Sequence, residues 1–187
     1  MRVITGSARG RRLKELEGME TRPTTDRVKE GLFSALQFDI EGRKVLDLFA
    51  GTGQLGIECL SRGAASAVFV DRRADAGKLI RENLRLSELE DRARVVAGDS
   101  MEYLESIREP FDIIFLDPPY AAGLLEPAIA HIAKFDILAP HGIIAAEHPA
   151  DRVLPALAPP YRLHRTYRYG KIALTLYRRG GNEQNEE

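Results

Sequence analysis

The tetrapeptide Asp117-Pro118-Pro119-Tyr120 follows a strongly apolar stretch, residues 111–116. The exocyclic amine of a nucleobase is a poor nucleophile because its lone pair is conjugated into the ring. Two acceptors aimed at its N–H groups can localise that lone pair, and the Asp117 carboxylate and the Pro118 carbonyl can be those acceptors, held in place by the prolines. Tyr120 offers a ring on which a base can stack. The pattern predicts Asp117, Pro118 and Tyr120 as catalytic residues. A rigid turn alone would explain only the prolines.

A glycine-rich turn forms a second candidate site. Residues 51–56 read Gly-Thr-Gly-Gln-Leu-Gly, matching G-x-G-x-x-G between a predicted strand and a predicted helix, and Asp71 lies 20 residues after Gly51. This is the dinucleotide-binding fingerprint in its expected context. Glycines let a ligand approach the backbone, and a carboxylate at the end of the next strand can hold two ribose hydroxyls. A tight turn without a ligand is the alternative.

The acidic residues around this turn narrow the choice of ligand. A dinucleotide places its pyrophosphate at the helix N-terminus, where negative charge is unfavourable. Asp47 precedes Gly51 by four residues, and Asp99 adds a carboxylate one strand further on. S-adenosylmethionine carries a sulfonium and an ammonium and no phosphate, so an acidic pocket suits it better. Asp71 would hold its ribose, and Asp99 with the backbone of Ser100 its adenine. Asp99 is also typical of a helix N-cap.

Apolar patterning places these motifs at strand ends. Strands alternating with helices indicate an α/β fold, with a mostly parallel sheet covered by helices on both faces and an antiparallel pair at one edge. We expect a basic hairpin and helix extension over residues 1–40, the main domain over 41–180 and a frayed tail over 181–187. The predicted strands are 45–49, 67–70, 95–96, 111–116, 143–147, 161–168 and 171–178, and the predicted helices begin after Thr24 or Thr25 and then span 54–62, 73–87, 101–107 and 123–135.

Composition bounds the class of protein. The 187 residues are 44% hydrophobic and 29% charged, which is enough apolar material for one globular core. A disordered chain is excluded, and so is a disulfide scaffold, because Cys59 is the single cysteine. No apolar run approaches the roughly 20 residues of a membrane helix. No signal peptide is visible, so we expect a cytoplasmic protein without membrane contact.

The formal net charge of −1 hides an uneven distribution. Residues 1–14 contain five basic and no acidic side chains, and residues 161–182 contain six basic and no acidic side chains. Positive ends on an acidic body favour a polyanionic partner. Two solvated faces would give the same pattern.

The motifs together resemble a known enzyme class. The glycine turn, the strand-end acids and the Asp-Pro-Pro-Tyr sequence are similar to the motif series of class I S-adenosylmethionine-dependent methyltransferases that act on exocyclic amines. The flanking segments resemble the bacterial RsmD family, the 16S ribosomal RNA guanine-N2 methyltransferases. Those segments are residues 2–6 (RVITG), 9–13 (RGRRL), 22–30 (RPTTDRVKE), 55–58 (LGIE) and 61–64 (SRGA).

The resemblance implies a Rossmann-like sheet of seven strands, S-adenosylmethionine as cofactor and a guanine of the small ribosomal subunit as substrate. By motif, Asp47, Gly51 and Gly53 would line the methionine end of the cofactor. Phe49 and Ser100 would complete the cofactor site. The expected RNA-binding residues are arginines near the start of the chain, and we expect a monomer. These arginines are Arg9, Arg11, Arg12, Arg22 and Arg27.

Three other functions fit parts of the pattern. An adenine or cytosine amino-methyltransferase acting on DNA would share the chemistry at Asp117, but no separate DNA-reading domain is visible. A nicotinamide-dependent oxidoreductase would use the glycine turn and leave the Asp-Pro-Pro-Tyr sequence unexplained. A non-enzymatic RNA-binding factor would not need every motif position intact. Glu147 lies near the same edge of the sheet with no assigned role.

Overall fold

The computed structural model describes residues 1–17 and 26–181. Arg22, the predicted helix caps Thr24 and Thr25, and residues 182–187 lie outside the described residues. The helices are α1 Asp26–Ala35, α2 Gln54–Ser61, α3 Ala74–Ser87, α4 Ser100–Ser106 and α5 Leu125–Lys134. The strands are β1 Lys44–Asp47, β2 Ser66–Asp71, β3 Ala93–Ala97, β4 Phe111–Leu116, β5 Leu138–Pro149, β6 Tyr161–Tyr169 and β7 Ile172–Arg179.

The seven strands form one sheet in the order β3-β2-β1-β4-β5-β7-β6. Strands β1 to β5 pair in parallel, and β7 pairs antiparallel with both β5 and β6. The predicted α/β fold with an antiparallel pair at one edge is confirmed. The order reverses between β2-β1 and β1-β4, and ligands of such sheets bind in the crevice at this switch point.

Two apolar layers cover the sheet because alternate residues of each strand face opposite sides. On one side, Phe33 of α1 packs against Phe115 of β4 with ring centroids 6.1 Å apart, in a cluster that also includes apolar residues of α2 and α3. On the other side, Leu104 of α4 and Ile129 of α5 pack with Leu116 of β4. Helices therefore cover both faces, as the sequence predicts.

The first residues of the chain, 1–17, are called the N-terminal segment here. Arg2 and Arg12 form an antiparallel bridge, so the predicted hairpin is present in a narrow form. Ile4 and Thr5 donate their backbone N–H groups to the carboxylate of Glu58 in α2, at 2.9 and 3.0 Å. These donors are therefore bonded to a side chain instead of a partner strand, which limits the length of the hairpin.

Glu58 also anchors α1. It is fully buried, and its carboxylate lies 3.4 Å from the ammonium of Lys29, which is 2% exposed. The Arg62 guanidinium donates to Glu58 at 3.0 Å. Burial lowers the pKa of Lys29, while the Glu58 charge opposes that change. Buried charges need such partners, so Glu58 fastens the N-terminal segment and α1 to α2.

Candidate active site

The acidic residues at the carboxyl edge of the sheet lie at two depths. Asp47 pairs in register with Phe69 of β2 and with Phe115 of β4. Asp71 and Asp117 each follow those partners by two residues, which is about 7 Å at the usual rise per residue. Asp47 is accordingly 2% exposed and lies below the rim, whereas Asp71 and Asp117 are partly exposed at it.

Asp47 holds the start of α2. Its carboxylate accepts a hydrogen bond from the backbone N–H of Gly56 at 3.2 Å. Burial raises the pKa of Asp47 to about 7; the Gly56 bond opposes this rise, and the charge of Asp71 adds to it. A cation bound near Asp47 would favour its ionised form. The group therefore suits a ligand with a positive charge.

The glycine turn has the backbone that its sequence demands. Gly51 has φ +57° and Gly53 has φ +81°, a region that L side chains rarely adopt. A Cβ at Gly53 would lie 3.2 Å from Cγ2 of Ile80, so that glycine is needed for packing. A Cβ at Gly51 would meet no atom within 4 Å. The space above Gly51 can therefore receive a ligand, which fits a cofactor cradled by the turn.

Asp71 closes this turn from the neighbouring strand. Its Oδ2 accepts from the N–H of Gly51 at 3.0 Å, and its Oδ1 accepts from the N–H of Arg73 at 2.9 Å. An ionised carboxylate has about four acceptor sites, so these two bonds are compatible with further bonds from ribose hydroxyls.

Asn83 of α3 is a functional residue that the motifs do not reveal. It is fully buried, and its amide donates to the carbonyls of Thr52 at 2.9 Å and of Lys14 at 3.1 Å. Its Oδ1 accepts from the N–H of Lys14 at 2.7 Å. Asn83 thus joins the glycine turn to the N-terminal segment. The sequence signal was a polar residue on the largely apolar buried face of α3, which also carries Ser87.

The loop after β3 is held by its own side chains. Asp99 is the N-cap of α4, and its Oδ1 accepts from the N–H groups of Met101 at 2.8 Å and Glu102 at 3.1 Å. The helix-cap interpretation of Asp99 is therefore confirmed, and both cap bonds use one of its two oxygens. Ser100 donates its hydroxyl to the carbonyl of Leu48 at 2.7 Å. Phe49, partly buried beside this contact, packs against the α4 and α5 layer.

The Asp-Pro-Pro-Tyr sequence leaves β4 at the switch point. Asp117 is partly exposed, Pro118 is buried, and Tyr120 begins a short 3-10 turn, Tyr120–Ala122. The Tyr120 hydroxyl donates to Oε1 of Glu147 at 3.2 Å. The structure thus brings Glu147 to the predicted catalytic residues.

The predicted RNA-binding arginines lie on the surface. Arg9 and Arg12 of the N-terminal segment and Arg27 near the start of α1 are exposed. Arg11 forms an ion pair with Glu88 at 3.2 Å, with both side chains at least half exposed. Arg22 falls in the part of the chain that is not described.

The described residues form neither a metal site nor a membrane-spanning helix. Across residues 1–17 and 26–181, no group of three or more His, Cys, Asp or Glu side chains could hold a metal ion. In the same ranges, no helix has the length and apolar character needed to span a membrane.

Known proteins are similar to this chain in sequence and in fold. A family model described as conserved hypothetical protein 95 matches residues 1–178. The ribosomal RNA small subunit methyltransferase D of Escherichia coli K12 is 37% identical, with 100% of this chain and 93% of that protein covered. YlbH of Bacillus subtilis 168 is 41% identical over 97% of this chain and 100% of its own length. The solved structure of yhhF from Escherichia coli superposes with a TM-score of 0.87 at 36% identity, covering 96% of this chain and 98% of that chain.

Proposed function

Because the chain belongs to the conserved hypothetical protein 95 family, the RsmD family of methyltransferases, we propose that it methylates 16S ribosomal RNA. The methyl group comes from S-adenosylmethionine, and the acceptor is the exocyclic N2 of one guanine in the small ribosomal subunit. Membership of a methyltransferase family excludes the nicotinamide-dependent oxidoreductase as an interpretation of the glycine turn.

One observation carries the proposal: the glycine turn and the Asp-Pro-Pro-Tyr sequence leave neighbouring parallel strands, β1 and β4, at the switch point of the sheet. A cofactor on the turn and a base on Asp117 would therefore meet in one crevice. Proximity of this kind converts a reaction between two molecules into one within a single complex.

The cofactor is held by the turn and by the ends of β1 to β3. Gly51 leaves room for its methionine end, Gly53 supplies the left-handed backbone of the turn that lines it, and the deeper Asp47 supplies negative charge. Asp71 accepts from the ribose hydroxyls, and Asp99 with the Ser100 backbone binds the adenine. Phe49 packs beside the pocket. When bound, S-adenosylmethionine supplies a methyl group on a sulfonium, which leaves as a neutral thioether carrying the electron pair of the broken bond.

The Asp-Pro-Pro-Tyr sequence orients the nucleophile. The Asp117 carboxylate and the Pro118 carbonyl accept the two N2 hydrogens, so the N2 lone pair is no longer delocalised into the ring. Tyr120 stacks on the base. After N2 bonds to the methyl carbon it releases one proton, which Asp117 or water accepts. Binding the extruded base in a pocket allows the enzyme to reach N2 outside the RNA fold.

The arginines on the N-terminal segment bind RNA phosphates. Arg9 and Arg12 are exposed, as is Arg27 in α1, and Arg11 can exchange its exposed partner Glu88 for a phosphate. We assign Arg22 the same role on its sequence motif alone. Phosphate contacts position the substrate, while the pocket reads the base.

Methyl transfer from labelled S-adenosylmethionine tests the proposal. The substrates are small subunits lacking base methylation, naked 16S RNA and duplex DNA, followed by nucleoside analysis. We expect N2-methylguanosine from a ribosomal substrate, and the comparison of particle with naked RNA identifies the form that is recognised. A methylated adenine or cytosine in DNA would keep the chemistry at Asp117 and overturn the substrate. No label in any substrate, with cofactor binding intact, would overturn the enzymatic assignment.

A further inference from the structure

We propose that Glu147 determines the choice of base by accepting the N1–H of the target guanine. This inference rests on the proposed function and adds a residue that reads the substrate. Glu147 lies outside the Asp-Pro-Pro-Tyr sequence, 27 residues after Tyr120 in the chain.

Register places Glu147 beside Asp117. Leu116 of β4 pairs with Ala146 of β5 in parallel register; Asp117 directly follows the end of β4, and Glu147 is the next residue of β5. Side chains at the same level of neighbouring parallel strands point to the same face of the sheet. The two carboxylates therefore flank one point at the rim, next to the crevice.

Burial and hydrogen bonding fix the orientation of Glu147. It is 7% exposed, and the Tyr120 hydroxyl donates to its Oε1 at 3.2 Å. A carboxylate can accept about four hydrogen bonds, so the Tyr120 bond is compatible with a bond from a ligand. Placing a group without a donor against a buried carboxylate costs free energy, because the carboxylate then lacks a hydrogen bond that water would have supplied. A base that presents no donor to Glu147 would therefore be rejected.

Guanine presents the complementary edge. Its N1–H and its two N2 hydrogens are adjacent donors, whereas adenine presents an unprotonated N1 and no 2-amino group. With Asp117 and Pro118 holding the N2 hydrogens, an acceptor one strand away is suitably spaced for N1–H. A charge-assisted bond at N1 also stabilises the positive charge that develops on the base as N2 attacks the methyl group.

The test pairs one variant with one altered base. Once the modified guanine is mapped, the small-subunit RNA is made with 2-aminopurine at that position, which keeps the 2-amino group but lacks both the hydrogen on N1 and the oxygen on C6. The missing oxygen affects wild type and variants alike, so the difference between them reports on N1. We expect wild-type protein to use guanine at least about 100-fold better than 2-aminopurine, as for sites built to bind a specific donor. Glu147→Gln presents an amide donor to N1, so its preference should shrink by roughly tenfold or more.

Two further variants separate reading of the base from support of Tyr120. Tyr120→Phe removes the hydroxyl bond to Glu147 and keeps the ring, so it should lower the rate but retain the preference for guanine. Glu147→Asp keeps the negative charge, and it should likewise retain the preference at a lower rate. Affinity for S-adenosylhomocysteine should change less than about twofold in all three, which also confirms folding.

Equal losses on both bases in Glu147→Gln would overturn the inference and leave Glu147 as a support for Tyr120 alone. An unchanged rate on guanine would overturn it as well. These outcomes differ from a failure of the proposed function, in which wild-type protein would form no N2-methylguanosine in any ribosomal substrate.

Discussion

The carboxylate of Asp71 accepts a hydrogen bond from the backbone N–H of Gly51 at 3.0 Å, across the gap between β2 and β1. The residue that sequence spacing marks as a ribose ligand therefore also shapes the turn that it faces. Its position is set before any ligand arrives, because a second bond from the N–H of Arg73 holds its other oxygen at 2.9 Å. Fixed acceptors of this kind reduce the entropy lost when a ligand binds.

Gly51→Ala should lose cofactor affinity at least about tenfold. The methyl group would enter the space above the turn, where no protein atom lies within 4 Å. A matched control is Gly170→Ala, because Gly170 has φ +61° against +57° for Gly51 and equally open surroundings. Both substitutions should lower stability by about 1–2 kcal/mol through the left-handed backbone alone. Calorimetric titration with S-adenosylhomocysteine and urea unfolding separate the two effects, and equal affinities would place the cofactor elsewhere.

Binding of S-adenosylmethionine should release a proton from Asp47 below about pH 7. The pKa of Asp47 is raised to about 7 in the unliganded protein, and a bound cation lowers it, so the carboxyl ionises as the ligand enters. Affinity should therefore rise as pH increases towards 7 and level off above it. Calorimetry at pH 6 in buffers of different ionisation enthalpy counts the protons released.

Asp47→Asn is the control for that experiment, because its side-chain oxygen can still accept the Gly56 N–H. The variant should release no proton from this position, and its affinity should be flat across the same pH range. Equal proton release by both proteins would show that another group titrates.

Asp117→Asn should reduce the turnover number roughly 100- to 1000-fold, in line with the loss of one preorganised polar group from other active sites. The amide replaces an acceptor with an N–H donor that opposes the N2 hydrogens. Affinity for S-adenosylhomocysteine should stay within about twofold, because cofactor contacts come from the ends of β1 to β3. Full methyl transfer by this variant would show that the Asp117 carboxylate is not needed for the catalytic step.

Glu58→Ala should lower the free energy of unfolding by roughly 3–5 kcal/mol, the usual effect of breaking a buried ion pair. It removes the carboxylate partner of the buried Lys29 ammonium, which keeps its hydrogen bond to the Arg2 carbonyl at 3.2 Å. It also leaves the N–H groups of Ile4 and Thr5 without their acceptor. Glu109→Ala breaks a half-exposed pair with Lys44 at 2.9 Å and should change stability by less than about 1 kcal/mol. Urea unfolding measures both, and similar losses would mean that Glu58 contributes no more than a surface charge.

Replacing Arg9 and Arg12 together by alanine should weaken binding to ribosomal RNA and make it less sensitive to salt. Each lost phosphate contact lowers the slope of log affinity against log salt by about 0.7 on single-stranded RNA. Arg94→Ala is the control, because Arg94 is an exposed arginine on β3. Its register partner Val68 packs with the α4 and α5 layer, on the face of the sheet opposite the one that the N-terminal segment covers. An unchanged slope in the double variant would place the RNA on another surface.

The strand and helix pattern could be predicted from the sequence because apolar periodicity is a local signal. The fourth strand begins and ends where it was predicted, at residues 111 and 116. The predicted length of the fifth strand is wrong: residues 143–147 were predicted, and the strand spans Leu138–Pro149. Pro140 and Gly142 indicate a loop, and His141 has φ +62°, yet Leu138 still pairs with Phe111 of β4. That pairing is a tertiary contact, which local patterns do not encode.

The candidate site likewise contains residues whose positions could be predicted from the sequence and contacts that could not. The positions of Asp71, Asp99 and Asp117 at or just after strand ends were predictable because each stands next to a recognisable sequence pattern, while their roles stay predictions. The contacts of Glu58 and Asn83 with the N-terminal segment were not, since Thr5 lies 53 residues from Glu58 and Lys14 lies 69 residues from Asn83 in the chain. A polar residue on the buried face of a helix indicates that it has a buried hydrogen-bond partner. Identifying that partner requires knowledge of the three-dimensional fold.

The hydrogen bonds that join Glu58 and Asn83 to the backbone of the N-terminal segment also limit how this enzyme can be re-engineered. The N-terminal segment cannot be moved by itself to another protein, because its backbone is hydrogen-bonded to side chains of α2 and α3. A recipient scaffold would need both of those side chains at matching positions. Under the proposed RNA-binding role of Arg9 and Arg12, retargeting is better attempted by exchanging these exposed arginines and leaving the backbone of the segment intact.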